Sequence, residues 1–194
     1  MIERLAKQLV AWQIRKEFLA PDDRSLYEYA YGLLIGQAVN FLISCLLAVL
    51  FHAYGFVAIY LLAYIPLRSY AGGHHAASYG VCTVISTGIL AAACMASKII
   101  SPEALLYINL CFTAIGGYIL FRFVPVETPQ KPLDLDERKH YRKRSIQIWS
   151  IEICAGALFY VWGKTEVSLA IFLAHVTLIV LLCIGIWKNK RIGS

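Results

Sequence analysis

Long apolar runs separated by short polar punctuation dominate the chain. Largely apolar stretches occupy residues 33–51, 55–71, 79–100, 105–124, 146–162 and 167–187. A run of about 18 or more such residues is long enough to cross the roughly 30 Å hydrocarbon core of a bilayer as a helix. The stretch from Gly55 to Ile65 reaches only about half that distance before Pro66, so it either continues as a kinked helix through Arg68 to Ala71 or stops there. The start of the chain follows a different pattern. Leu5, Leu9 and Trp12 recur at three- and four-residue spacing, while Lys7, Arg15, Lys16 and Glu17 supply a polar side. That predicts an amphipathic helix over 2–19, lying in the headgroup region or packed on the protein's own loops. The opening Met1-Ile2-Glu3-Arg4 lacks the apolar core of a cleaved signal. The expected fold is all-α, a single-domain polytopic membrane helical bundle. It has about six transmembrane helices plus the N-terminal amphipathic interfacial helix.

Composition agrees with this picture. Of the 194 residues 59% are hydrophobic and 15% charged, and the mean hydropathy is +0.64, too apolar for a soluble domain of this size. The formal charge of +6 needs no nucleic-acid partner, because basic residues on cytoplasmic loops produce the same excess. With both termini cytoplasmic and six crossings, all of the 18 Lys and Arg residues except Lys98 and Lys164 fall on the inside. The loop 125–145 then becomes a basic cytoplasmic segment. The stretch from Arg68 to Cys82 also lies on the cytoplasmic side of the membrane.

Polar groups inside apolar segments are costly and mark functional candidates. Gln37 and Asn40 interrupt the first span about one turn apart. Such amides bond to a neighbouring helix or, in the sharper reading, Gln37 faces a reaction centre. Glu152 and His175 stand alone in the last two spans. With Gln37 they define an alternative function, a small multi-span transporter with a polar path. None of the six cysteines forms a CxxC pair, so a disulfide framework is not expected; His74, His75 and Cys82 could together ligate a metal, but they lack an HExxH-type spacing and no metal is expected there. Cys82 differs from the others by its neighbours: Arg68, Gly72, Gly73, His74, His75 and Gly80 lie just upstream.

A cysteine acts as a nucleophile in its thiolate form, and a histidine is the usual base. His75 and Cys82 are seven residues apart, which on one straight helix means about 10.5 Å of rise. A hydrogen bond needs about 3 Å. The glycines therefore predict a turn between them. A helix starting near Ser78 puts Cys82 in its first turn, where the positive end of the helix dipole favours an anion.

Arg68-x4-Gly73-x-His75-x6-Cys82, set in Tyr70-Ala71-Gly72-Gly73-His74-His75-Ala76, resembles the core motif of the accessory gene regulator protein B family. The later Pro125-Val126-Glu127-Thr128-Pro129-Gln130-Lys131-Pro132-Leu133 is similar to that family's second motif. Val124 stands where an alanine is common. The resemblance implies a cysteine endopeptidase of a bacterial cell membrane that cuts the acidic C-terminal tail from a quorum-sensing pro-peptide. Cys82 is then the nucleophile and His75 its base, with Arg68 and Gly73 supporting the site. The acyl-enzyme passes to a group of the peptide itself and closes a thiolactone or lactone ring. The implied partners are a pro-peptide with an amphipathic helix and an acidic tail, the lipid bilayer and a second copy of the chain. Nucleic acid and cofactors are not expected. Lys131, Arg138, Lys139, Arg142, Lys143 and Arg144 are candidates for binding the acidic tail, or serve only to set the topology. Gln37 or a backbone N–H near Cys82 is the candidate oxyanion donor.

Overall fold

The computed structural model describes residues 2–72, 79–126 and 133–192. Its elements are α1 (Ile2–Arg15), a short 3-10 turn (Pro21–Asp23), α2 (Arg24–Leu50), α3 (Tyr54–Ala71), α4 (Tyr79–Ala96), α5 (Pro102–Phe123), α6 (Leu135–Val161) and α7 (Thr165–Ile192). The fold is all-α.

Local chemistry sets most of the boundaries. α1 carries Glu3 in its first turn and Arg15 in its last, matching the helix dipole at both ends. It closes with paired bonds, Phe18 N–H to the Gln13 carbonyl and Glu17 N–H to the Ile14 carbonyl, with Glu17 at φ 59°. This is a Schellman ending. The same pattern ends α2 at His52 and α6 at Gly163. Ser101 caps α5, accepting a bond from Ala104 N–H, and Pro102 occupies the first position, where its missing N–H costs nothing. Asp134 and Glu137 form a reciprocal capping box at the start of α6, satisfying two otherwise orphaned donors. Pro66 lies inside α3. The helix continues past it to Ala71, and Ser69 Oγ donates to the Ile65 carbonyl at 2.8 Å in the turn that follows.

The core is organised around α7, which packs against α3, α5 and α6. Its Ala170, Ala174, Leu178 and Leu182 form a four-residue stripe that is buried almost completely. One cluster joins Leu47, Val57, Tyr60, Cys94 and Leu105 to the first half of α7. A second joins Leu67, Ala71, Leu120, Val124, Val126 and Trp149 to Leu178, Ile179 and Leu182. α1 rests Ala6 and Val10 inward, and its Gln13 amide donates to the Tyr31 hydroxyl at 2.7 Å.

The outer surface is apolar. Leu34, Phe41, Leu42, Leu46 and Leu50 of α2 are exposed, as are Ile115 and Tyr118 of α5 and Ile151 and Val161 of α6. Surface of that extent normally meets lipid or a partner. Residues 21–50 and 165–187 are each long and apolar enough to cross a membrane, and Gly80–Ala96 and Tyr107–Phe123 are shorter apolar helices. The chain is a helical, membrane-associated protein.

Candidate active site

Three helix ends meet at one place. α3 stops at Ala71 because Gly72 adopts φ 73°, ψ −148°, a conformation that only glycine reaches without strain. Gly72 forms an isolated parallel bridge with Val126. Val126 N–H donates to the Ala71 carbonyl at 3.0 Å, satisfying one of the orphaned carbonyls at the helix end. A Cβ at residue 72 would run into the Val126 carbonyl oxygen. The chain just after α5 is thereby tied to the chain just after α3.

The start of α6 closes on the same place. Arg142 Nη2 donates to the Phe121 carbonyl at 2.7 Å, placing a cation on the last turn of α5, where the dipole favours it. Tyr70 of α3 meets the Tyr141 ring edge-on at 5.5 Å and lies 6.3 Å from the His140 ring. Arg138, Lys139, Arg142, Lys143 and Arg144 are all exposed around this contact, so the junction carries a strongly basic rim.

Cys82 is the fourth residue of α4, half-buried, with a free thiol. Arg68 lies in the last turn of α3, with its Nη1 buried. Tyr64 and Arg68 are four residues apart on α3 and share a helix face.

Gly73, His75 and Lys131, with the proposed cap Ser78, lie outside the described residues. α3 ends at Gly72, whose φ of 73° is not helical, so no single helix runs from residue 72 to residue 84. Gln37 is exposed on α2.

The other ionisable pair lies elsewhere. His175 Nε2 and Glu152 Oε2 meet at 2.7 Å between α6 and α7. The His175 ring stacks on Trp149 with centroids 4.1 Å apart. Along α6 this pair is about 16 Å from Tyr141. Among the described residues no group of three or more His, Cys, Asp or Glu side chains is arranged to hold a metal.

A membrane-associated helical protein with a half-buried free cysteine on α4, an arginine in the last turn of α3 and a basic rim on α6 is a recognisable class. The accessory gene regulator B family matches residues 2–186 of this chain, and the chain belongs to that family, which is involved in quorum-sensing peptide processing. It is similar to an AgrB-like protein of Clostridium perfringens strain SM101, type A. The identity is 28% over 181 residues, which cover 87% of this chain and 83% of the relative. A second AgrB-like protein, from C. perfringens strain 13, type A, is 28% identical over 173 residues, covering 82% and 79%. No solved structure matches.

Proposed function

We propose that this chain is a membrane-embedded cysteine endopeptidase that removes the C-terminal tail of a quorum-sensing pro-peptide and promotes its cyclisation. The observation that carries the reading is the half-buried free thiol of Cys82, the fourth residue of α4, in a sequence that sets it after Arg68 and His75.

In the proposed reaction His75 takes the proton of the Cys82 thiol. The sulfur attacks the carbonyl carbon of the scissile peptide bond, and the oxyanion is held by N–H groups at the start of α4. The exposed position of Gln37 makes those backbone groups the better donors. The C–N bond then breaks, the tail amine leaves with the proton from His75, and a thioester remains on Cys82. A thiol of the peptide attacks that thioester, and the Cys82 sulfur leaves and is reprotonated. A thioester exchanged for a thiolactone is nearly isoenergetic, so the acyl group stays activated provided water is excluded. An attacking hydroxyl gives a lactone by the same steps.

The basic rim of Arg138, Lys139, Arg142, Lys143 and Arg144 provides the complement for an acidic tail. The chain crosses the bacterial cell membrane six times with both termini cytoplasmic, and a second copy makes the working homodimer. α1 lies at the headgroup level.

The transporter alternative needs Gln37, Glu152 and His175 on one path. Glu152 and His175 bond to each other, whereas Gln37 is exposed on α2, which packs on α1, α3 and α4. The two readings separate on co-expression with a candidate pro-peptide and mass spectrometry of the tail. Release is expected from the native chain and lost in Cys82→Ala and His75→Ala. Undiminished release from both variants would overturn the peptidase reading.

A further inference from the structure

We propose that the groove between α5 and α6 holds an acyl chain of an anionic phospholipid, whose phosphate is met by Arg138 and Arg142 at the basic end of the groove. This goes beyond the peptidase reading and does not depend on it. α5 and α6 both pack on α7. The space left between them is a groove of about 510 Å³, lined by Thr113, Ala114, Gly117 and Phe121 of α5 and by Trp149 and Ile153 of α6. The sequence explains why it is open. Thr113, Gly117 and Phe121 follow one another every four residues and form one ridge of α5, whose middle member has no side chain. Gly116 beside it lets α5 come close: a Cβ there would lie 3.2 Å from the Trp149 ring and 3.2 Å from Ile179. The Trp149 indole thereby reaches α5 and forms the floor of the groove. It is 2% exposed and stacked on His175, so the floor is held from both sides.

Charge sits at one end only. Around α6, Arg138, Arg142, Trp149 and Ile153 fall within about 60° of one another, so the two arginines head the face that lines the groove. Arg142 donates to the carbonyl of Phe121, itself a lining residue, at 2.7 Å. Both arginines are exposed. A guanidinium has five N–H donors, so Arg142 can hold this carbonyl and still face a phosphate. Arg122, exposed in the last turn of α5, adds a third cation. The acids at this end, Asp136 and Glu137, are engaged by Lys139 and by the Asp134 N–H. From Ser145 to Val161 the one charged residue of α6 is Glu152, and it is turned to His175. From Arg142 to Ile153 the helix rises about 17 Å, close to half of the roughly 30 Å hydrocarbon core, which is the depth of one leaflet's chains. A helix of that length would fill about 1,500 Å³, three times the groove, and would rest on it; an acyl chain enters it. Basic pockets between membrane helices bind anionic headgroups in this way. A zwitterionic lipid with the same chains fits the groove but gains little from the arginines.

The test uses the full chain in mild detergent, titrated separately with dioleoylphosphatidylglycerol and dioleoylphosphatidylcholine, with bound lipid counted by native mass spectrometry. The native chain is expected to bind the anionic lipid at least about tenfold more tightly, since each basic side chain at an anionic surface is worth about fivefold. Arg142→Gln should lower affinity for phosphatidylglycerol by about fivefold and leave that for phosphatidylcholine unchanged. Ala114→Trp fills the groove from an exposed position, and Gly117→Leu restores the missing side chain of the ridge. Each should weaken both lipids by at least about tenfold, and the second filler decides the matter if the first fails to fold. Equal affinity of the native chain for the two lipids would overturn the inference. So would native affinity for phosphatidylglycerol in a folded filler variant; a lower oligomer mass in those same spectra would then give the groove to a second copy of the chain.

Discussion

Glu152 and His175 face each other at 2.7 Å in the middle of the α6–α7 contact, whereas Arg68 lies in the last turn of α3 and Cys82 is the fourth residue of α4. Both places put ionisable groups among apolar helices, and they solve the problem in different ways. The first is closed: the acid has its base, and the imidazole has a tryptophan against its ring. Each group satisfies the other, and little is left over to act on a third molecule. The second is built on interruptions of the helices. Gly72 stops α3, Val126 ties that stop to the end of α5, and Arg142 closes α5 from α6. Helix ends leave unpaired N–H and C=O groups and uneven charge, which a reactive sulfur can use. Burial of charge alone therefore does not mark a reactive site.

The comparison breaks most visibly through Cys82→Ala, expected to lower tail release by at least about a thousandfold with the fold intact, as loss of a covalent nucleophile does. Glu152→Ala should do the reverse. Leaving His175 buried without its acid is expected to cost about 3 kcal/mol of stability, read as thermal unfolding in detergent, with release per folded molecule within about twofold of native. A Glu152→Ala protein that is as stable as the native one yet inactive would move the chemistry to the α6–α7 pair.

Gly72→Ala sharpens the contrast from the other side. A Cβ there meets the Val126 carbonyl, at a backbone conformation that alanine avoids. It should cost about 2 kcal/mol and, unlike Glu152→Ala, reduce release per folded molecule, because the strap that frames the site is lost. Arg142→Ala has the smallest expected effect. It removes one exposed charge-assisted bond to the Phe121 carbonyl and should lower stability by about 1 kcal/mol.

Much of this was legible in the sequence. Apolar runs gave the helices, and the Pro, Gly and Asp positions gave several ends, because caps and turns are local chemistry. The spacing of His75 and Cys82 called for a turn between them, at residues that lie outside the described ones. Local patterns could not show that Gly72 pairs with Val126, far along the chain, nor that Glu152 and His175, each singled out separately, are partners. Such pairings depend on how helices are arranged around α7. Gln37 and Asn40 were read together as candidate interhelical amides, and the structure leaves Gln37 exposed and Asn40 half-buried on α2.

The central claim is that Cys82 carries the peptide as a thioester, and intact-protein mass spectrometry after brief mixing with a pro-peptide tests it most directly. The account predicts an adduct with the mass of the peptide lacking its tail, located on Cys82, released by hydroxylamine and absent from Cys82→Ala. Tail release at the native rate with no adduct, or an adduct that persists in Cys82→Ala, would contradict it.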